Sequence, residues 1–121
     1  MASFFETSAG KAIGYTSGGA VTQLTDKTTG VTLDQSCGQI TLAAGAIAGG
    51  AEASFTVTND RVAATDVVVA CVGSGGTSGA YHVGVGAVSS GSFELTVTNL
   101  TAGGLDEALV LNFAIIKAAA S

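Results

Sequence analysis

Three short runs near the start of the chain, residues 20–24, 31–33 and 39–42, are β-type and are set apart by Gly, Thr, Ser and Asp. No apolar stripe at helical spacing survives across them, so the segment reads as sheet broken by turns. The rest of the chain follows the same rule. Along residues 52–59, Ala53, Phe55 and Val57 alternate with Ser54, Thr56 and Thr58, as in a strand with one buried face. Residues 92–99 repeat that pattern with Phe93, Leu95 and Val97, closely echoing Ser54-Phe55-Thr56-Val57-Thr58-Asn59. Residues 66–72 form a continuous β-branched run, which predicts a central strand covered on both faces. Residues 80–88 put Tyr81, Val83, Val85 and Ala87 on one face and His82, Gly84, Gly86 and Val88 on the other. Residues 108–117 are expected to be the longest strand, with Leu109, Leu111, Phe113 and Ile115 in the core and Val110, Ala114 and Ile116 keeping the reverse face apolar. Residues 43–51 are small and apolar, but three glycines in nine residues penalise a helix, so they read as a packed loop.

Eight or nine short strands and no helix predict an all-β fold, an antiparallel β-sandwich of the immunoglobulin-like or jelly-roll kind. The strand order stays open. At 121 residues the chain is one domain, large enough to bury about two thirds of the surface its unfolded form exposes. Residues 1–12 read as an extended arm and 13–121 as the sandwich, with residues 13–15 as a first short strand. Proline is absent and glycine occurs eighteen times, so tight turns fall to Gly, Asn, Asp, Ser and Thr.

Charged residues make up only 11% of the chain, against about 25% in an average soluble domain. Exposed strand edges are normally guarded by charge, so a surface of Ser, Thr, Gly and Ala implies that other chains cover much of it. A homo-oligomer is expected. The four basic residues, Lys11, Lys27, Arg61 and Lys117, are scattered in a chain of net charge −5, which argues against nucleic-acid and anionic-membrane partners. No apolar run approaches the roughly 18–20 residues of a membrane span. The N-terminus lacks the pattern of a secretory signal, so assembly in the cytoplasm is expected. Cys37 and Cys71 belong to no metal-binding pattern and are expected as two free thiols, Cys71 as a small buried hydrophobe, with a disulfide between them as the minor alternative.

Catalytic signatures are sparse. His82 is the single histidine, and a triad on it would need Asp66 or Glu94 as orienting partner and a serine or Cys37 as nucleophile. The simpler reading is a histidine on a strand face or at an interface, and no enzyme activity is expected. The paired carboxylates, Asp106 with Glu107 or Asp60 with Asp66, read as solvated turn formers rather than a glycosidase pair. Residues 73–79 are glycine-rich but lack the Lys-Ser/Thr ending of a phosphate loop, and Gly84-Val85-Gly86 lacks a third glycine. The aspartates do not follow the calcium-loop pattern, so no cofactor or metal is expected. The residues singled out as contacts are Phe4 and Phe5 in the arm, because adjacent exposed aromatics suit a neighbouring subunit, and the flat face of His82, Gly84 and Gly86, because interior strand glycines often mark a close approach.

Several segments in order, Gly14-Tyr15, Val21-Thr22-Gln23-Leu24-Thr25, Lys27-Thr28-Thr29-Gly30-Val31-Thr32-Leu33, Gly38-Gln39-Ile40-Thr41, Ser54 through Asn59, Ala64 through Val69, Gly79-Ala80-Tyr81 and Gly91-Ser92-Phe93, resemble the small virion structural proteins of tailed bacteriophages. These are the capsid decoration or cement proteins and their head-fibre-like relatives. The resemblance runs from about residue 14 to 117 and carries no catalytic residues. It implies a small all-β module that assembles as a trimer or dimer, trimer favoured, on the capsid surface of the virion and binds the major capsid protein. A head-fibre or tail-fibre module that binds host glycans through residues 73–79 and 99–107 is the alternative.

Overall fold

The computed structural model describes Tyr15 and residues 18–118. Eight strands follow one another with no helix among the described residues: β1 (Gly19–Thr22), β2 (Val31–Thr32), β3 (Cys37–Thr41), β4 (Glu52–Thr58), β5 (Val67–Ser74), β6 (Tyr81–Ser89), β7 (Ser92–Asn99) and β8 (Val110–Ile116). They form two four-stranded sheets, ordered β1-β3-β8-β5 and β2-β4-β7-β6. Of the proposed strand at residues 13–15, Tyr15 lies in no strand and the remainder falls outside the described residues. The longest strand is β6, with nine residues against seven in β8.

The two sheets are mixed, which corrects the purely antiparallel expectation. β1 pairs with β3 and β2 with β4 in parallel, while the other four ladders are antiparallel. The cause is the path of the chain. The first six strands alternate between sheets, each connection reversing direction, so neighbours of equal parity must run the same way. An immunoglobulin domain instead pairs its first two strands.

Between the sheets lies one apolar core. β4 and β7 supply Phe55, Val57, Phe93, Leu95 and Val97, and β3 and β8 supply Ile40, Leu111, Phe113 and Ile115, all no more than 4% exposed. Phe93 and Phe113 meet across the gap with ring centroids 5.5 Å apart and planes tilted by 57°, a favourable offset for aromatic quadrupoles. β4 and β7 are paired about Phe55 and Leu95, so their matching Thr-Val-Thr-Asn ends point to opposite ends of the sandwich. Asn59 and Asn99 sit there fully buried. Asn59 donates its amide to the carbonyls of Leu33 and Gln35 and accepts from the N–H of Arg61. Asn99 donates to the carbonyls of Ile47 and Gly103 and accepts from the N–H of Thr101. Each asparagine thus satisfies loop carbonyls that no strand can reach, which is what buried backbone requires.

β5 is an edge strand, not the central strand its β-branched run predicted. Val68 turns into the core, but Val67 and Val69 remain 47% exposed. Cys71 shares their outward face and is exposed rather than buried. No disulfide joins Cys71 to Cys37. Cys37 pairs with Ala114 on one side of β8 and Cys71 with Asn112 on the other, so two strand spacings of about 4.8 Å separate them. That is beyond the Cα span of about 7 Å that a disulfide tolerates.

Candidate interaction faces

The outer face of the β2-β4-β7-β6 sheet is polar. It presents Thr56, Thr58, Thr96 and Thr98, with Ser54 and Thr96 hydrogen-bonded through their hydroxyls at 2.7 Å. His82, Gly84 and Gly86 lie along its edge strand, opposite Thr98, Thr96 and Glu94. A Cβ at Gly84 would meet nothing nearer than His82 Nε2 at 4.0 Å, and one at Gly86 would meet nothing within 4 Å. Among the described residues these glycines make room for nothing, and they leave that part of the face flat. Past Gly86 the ladder bulges, and Ala87 adopts a positive φ of 49°, which breaks the alternation expected of it.

The groups of a catalytic triad are not brought together. Glu94 lies opposite Gly86, four residues or about 13 Å along the strand from His82. Asp66 immediately precedes β5 of the other sheet, and there Lys117 Nζ holds its carboxylate at 2.6 Å and the N–H of Ala63 donates at 2.8 Å. Cys37 is also on that sheet. Among the described residues, no group of three or more His, Cys, Asp and Glu side chains is placed to hold a metal. Phe4 and Phe5 fall outside the described residues.

Among the described residues, the outer face of the β1-β3-β8-β5 sheet presents no ionisable group other than thiols. Val67 lies directly across from Ile116, Val69 from Ala114 and Cys71 from Asn112, with Cys37, Gln39 and Thr41 beyond. Ile116 is 49% exposed, which with Val67 and Val69 gives a contiguous apolar strip on the surface. Isolated exposed apolar residues are ordinary, but a contiguous patch is a contact signal. Next to Ile116 along the chain, the carbonyl of Ile115 accepts from the Tyr15 hydroxyl.

A denser polar cluster closes the end of the sandwich near Asn99. Lys27 is 5% exposed and donates to the carbonyls of Ala43 and Gly45 at 2.7 Å each, while Gln23 accepts from Ala43 N–H and donates to Thr29 O. Asp106 accepts from Gly45 N–H at 2.6 Å. Glu107 accepts from the Tyr81 hydroxyl at 2.8 Å and from the N–H and hydroxyl of Thr77 at 3.1 Å, which pins the glycine-rich loop beside a cavity of about 260 Å³. Sequence patterning read Lys27 as one of four scattered cations and Glu107 as a solvated turn former. The polar run around Lys27, Thr25-Asp26-Lys27-Thr28-Thr29, gives no hint that loop carbonyls need a donor there.

These contacts fix the pH dependence of stability. Burial, reinforced by the hydrogen bond to Glu107 and its charge, pushes the Tyr81 phenol up to about 12. The hydrogen bond from Tyr81, with those from Thr77, holds Glu107 below its ordinary 4.5, and the Lys117 hydrogen bond holds Asp66 below 3.8. Burial lowers the Lys27 ammonium against the pull of Asp106 and Glu107. A raised acid such as Tyr81 contributes stability that is complete below pH 10 and is lost as pH rises toward 12. The lowered carboxylates contribute above their ordinary values and lose that contribution as pH falls through their lower folded ones. Charged Lys27 acts in the opposite sense to Tyr81, since its folded state releases the proton first and gains stability as pH rises toward 10.5. The melting temperature measured from pH 2 to 12 should fall at both extremes, and Tyr81→Phe should flatten the alkaline fall while leaving the acid one. An alkaline arm unchanged in Tyr81→Phe would remove Tyr81 as its source.

No protein-family model, curated protein or solved structure matches the chain.

Proposed function

We propose that the chain is a structural capsid decoration (cement) protein of a tailed bacteriophage, which binds the outer shell and stabilises capsomer contacts. The observation that carries this reading is the uncharged outer face of the β1-β3-β8-β5 sheet, where Val67, Val69 and Ile116 stand about half exposed. A chain with 11% charged residues and such a face is suited to burial against sister subunits and a protein shell. The partners in this reading are further copies of the chain and the major capsid protein, and the site of action is the virion surface. The mechanism is mass action. A protein that binds only the assembled shell lowers the free energy of that shell, and many weak sites add through multivalency.

Heating shells that lack the protein, with and without saturating amounts of it, tests the reading. The temperature of shell rupture should rise by several degrees, and Ile116→Glu should abolish the gain while leaving the isolated chain folded. A rupture temperature that the protein does not move would contradict the proposal. A second reading, a head-fibre or tail-fibre module that binds host glycans, draws on the cavity beside Thr77, Ser78 and Tyr81. Under that reading an oligosaccharide would perturb the Tyr81 environment and leave shells unaffected.

A further inference from the structure

We propose that two copies of the chain pair antiparallel through their β5 edges, joining the two β1-β3-β8-β5 sheets into one eight-stranded sheet. The direction of the backbone groups on β5 follows from the ladders. Ile115 donates its N–H to Ser36 and Leu109 accepts from Leu42, so odd-numbered residues of β8 face β3 and even-numbered ones face β5. Val67, Val69 and Cys71 lie opposite Ile116, Ala114 and Asn112 and spend their backbone groups on β8. Val68, Ala70 and Val72 therefore point three N–H donors and three C=O acceptors out of the sheet edge.

Edges of this length are ordinarily guarded by charge, proline or a central bulge. β5 has neither charge nor proline, and its bulge comes only at its end, between Val72 and Ser74. The occupant follows from symmetry and charge. A two-fold interface requires a surface complementary to itself. The free groups at Val68, Ala70 and Val72 are two-fold symmetric about Ala70, so pairing Ala70 with Ala70 and Val68 with Val72 satisfies all of them. No like charges meet in that register, because the nearest charged groups, Asp66 and Lys117, already neutralise each other. The same pairing extends the apolar strip of Val67, Val69 and Ile116 across both copies. The other long edge, β6, offers no such gain, since its outer face is polar and nearly without side chains. A two-fold pair makes the unit a dimer, in place of the trimer favoured by resemblance. The inference does not rest on shell binding, and its test uses none.

In the Ala70-centred register, Val69 lies beside the partner's Cys71 as a close non-hydrogen-bonded pair, with Cα atoms about 4.5 Å apart. That distance is within reach of a disulfide. Sedimentation equilibrium of the whole chain should give twice the 11.7 kDa monomer mass. Val69→Lys, on the exposed outer face, should give a monomer with unchanged circular dichroism. Val69→Cys should yield a covalent dimer on oxidation with diamide, and Val69→Cys combined with Cys71→Ser should yield none. If the lysine variant fails to fold, the cross-link decides. A wild-type monomer, a trimer, or a dimer that neither Val69→Lys dissociates nor Val69→Cys cross-links would overturn the proposal; the last of these would place the contact on another surface.

Discussion

Phe93→Ala should destabilise the chain by about 3–5 kcal/mol, the range found when a large buried aromatic is truncated. Phe93 is 1% exposed and sits near the start of β7, opposite Val57 in its own sheet and against the Phe113 ring of the facing sheet. It spans the gap between two hydrogen-bonded layers. Neither sheet can collapse into the space left behind without breaking its ladders, so both the cavity and the lost transfer energy are felt. A domain of this size has about 5–15 kcal/mol in all, so the variant is expected to lose a large share of its stability. Urea unfolding at neutral pH measures it through a lower midpoint at unchanged slope. Phe113→Ala should cost a similar amount, and the double variant less than the sum, because the second truncation enlarges a cavity already made. A loss below about 1 kcal/mol for Phe93→Ala would mean that the sheets do not pack through this ring.

Asn99→Ala should cost about 3 kcal/mol, although it removes only a small polar side chain. The Asn99 amide donates to Ile47 O and Gly103 O at 2.8 Å each, and its oxygen accepts from the N–H and hydroxyl of Thr101. Alanine takes one donor from each carbonyl, leaving Ile47 O the N–H of Leu105 and Gly103 O the Thr101 hydroxyl, and it removes the acceptor of the Thr101 N–H; each lost hydrogen bond contributes about 0.5–1.5 kcal/mol and an orphaned group costs about 1–3 kcal/mol. Asn99→Asp should not rescue the loss, since a carboxylate cannot donate to either carbonyl. Thr56→Ala on the exposed face of β4, by contrast, should change stability by no more than about 0.5 kcal/mol. The same variant series should accelerate amide exchange at Ile47 and Leu105, whose mutual bridge Asn99 supports. An Asn99→Ala chain as stable as the parent would show that the loop end is held by other contacts.

The parts of this fold that alternation could reveal were legible. β4 and β7 each bury one face and solvate the other, so Phe55, Val57, Phe93, Leu95 and Val97 announce themselves as core, and β8 does so with Leu111, Phe113 and Ile115. The Val67-Val68-Val69 run misled because an apolar residue looks the same whether its outward face is covered by protein or left open. Neighbours decide that, and among the described residues β5 has no strand on its far side in its own sheet. The parallel pairs β1-β3 and β2-β4 were illegible for a related reason, since they arise from where the connections cross and not from any residue in the strands. His82, Gly84 and Gly86 were correctly grouped on one face, because strand period alone fixes that. The glycines accommodate nothing among the described residues, however, so the space they leave points outward.

Buried polar residues were the least legible. Asn59-Asp60 is turn chemistry at the end of a strand, and the turn is there, yet Asn59 is fully buried and holds the residue 33–35 connection. The usable signal was the repeated Thr-Val-Thr-Asn at the ends of two matching strands. An asparagine that follows a half-buried strand in the same place twice is positioned to stitch loops. Lys27 carried no comparable signal, since its burial depends on carbonyls of residues 43 and 45 that only the folded chain brings near.

The proposed role makes this sandwich a coat component whose partner is a protein shell. Co-sedimentation of the purified chain with shells stripped of it, titrated to saturation, tests that most directly. Saturable binding at a fixed ratio to the major capsid protein is expected, with a loss of at least tenfold in affinity for Ile116→Glu. A correctly folded chain that stays in the supernatant at every concentration would contradict it.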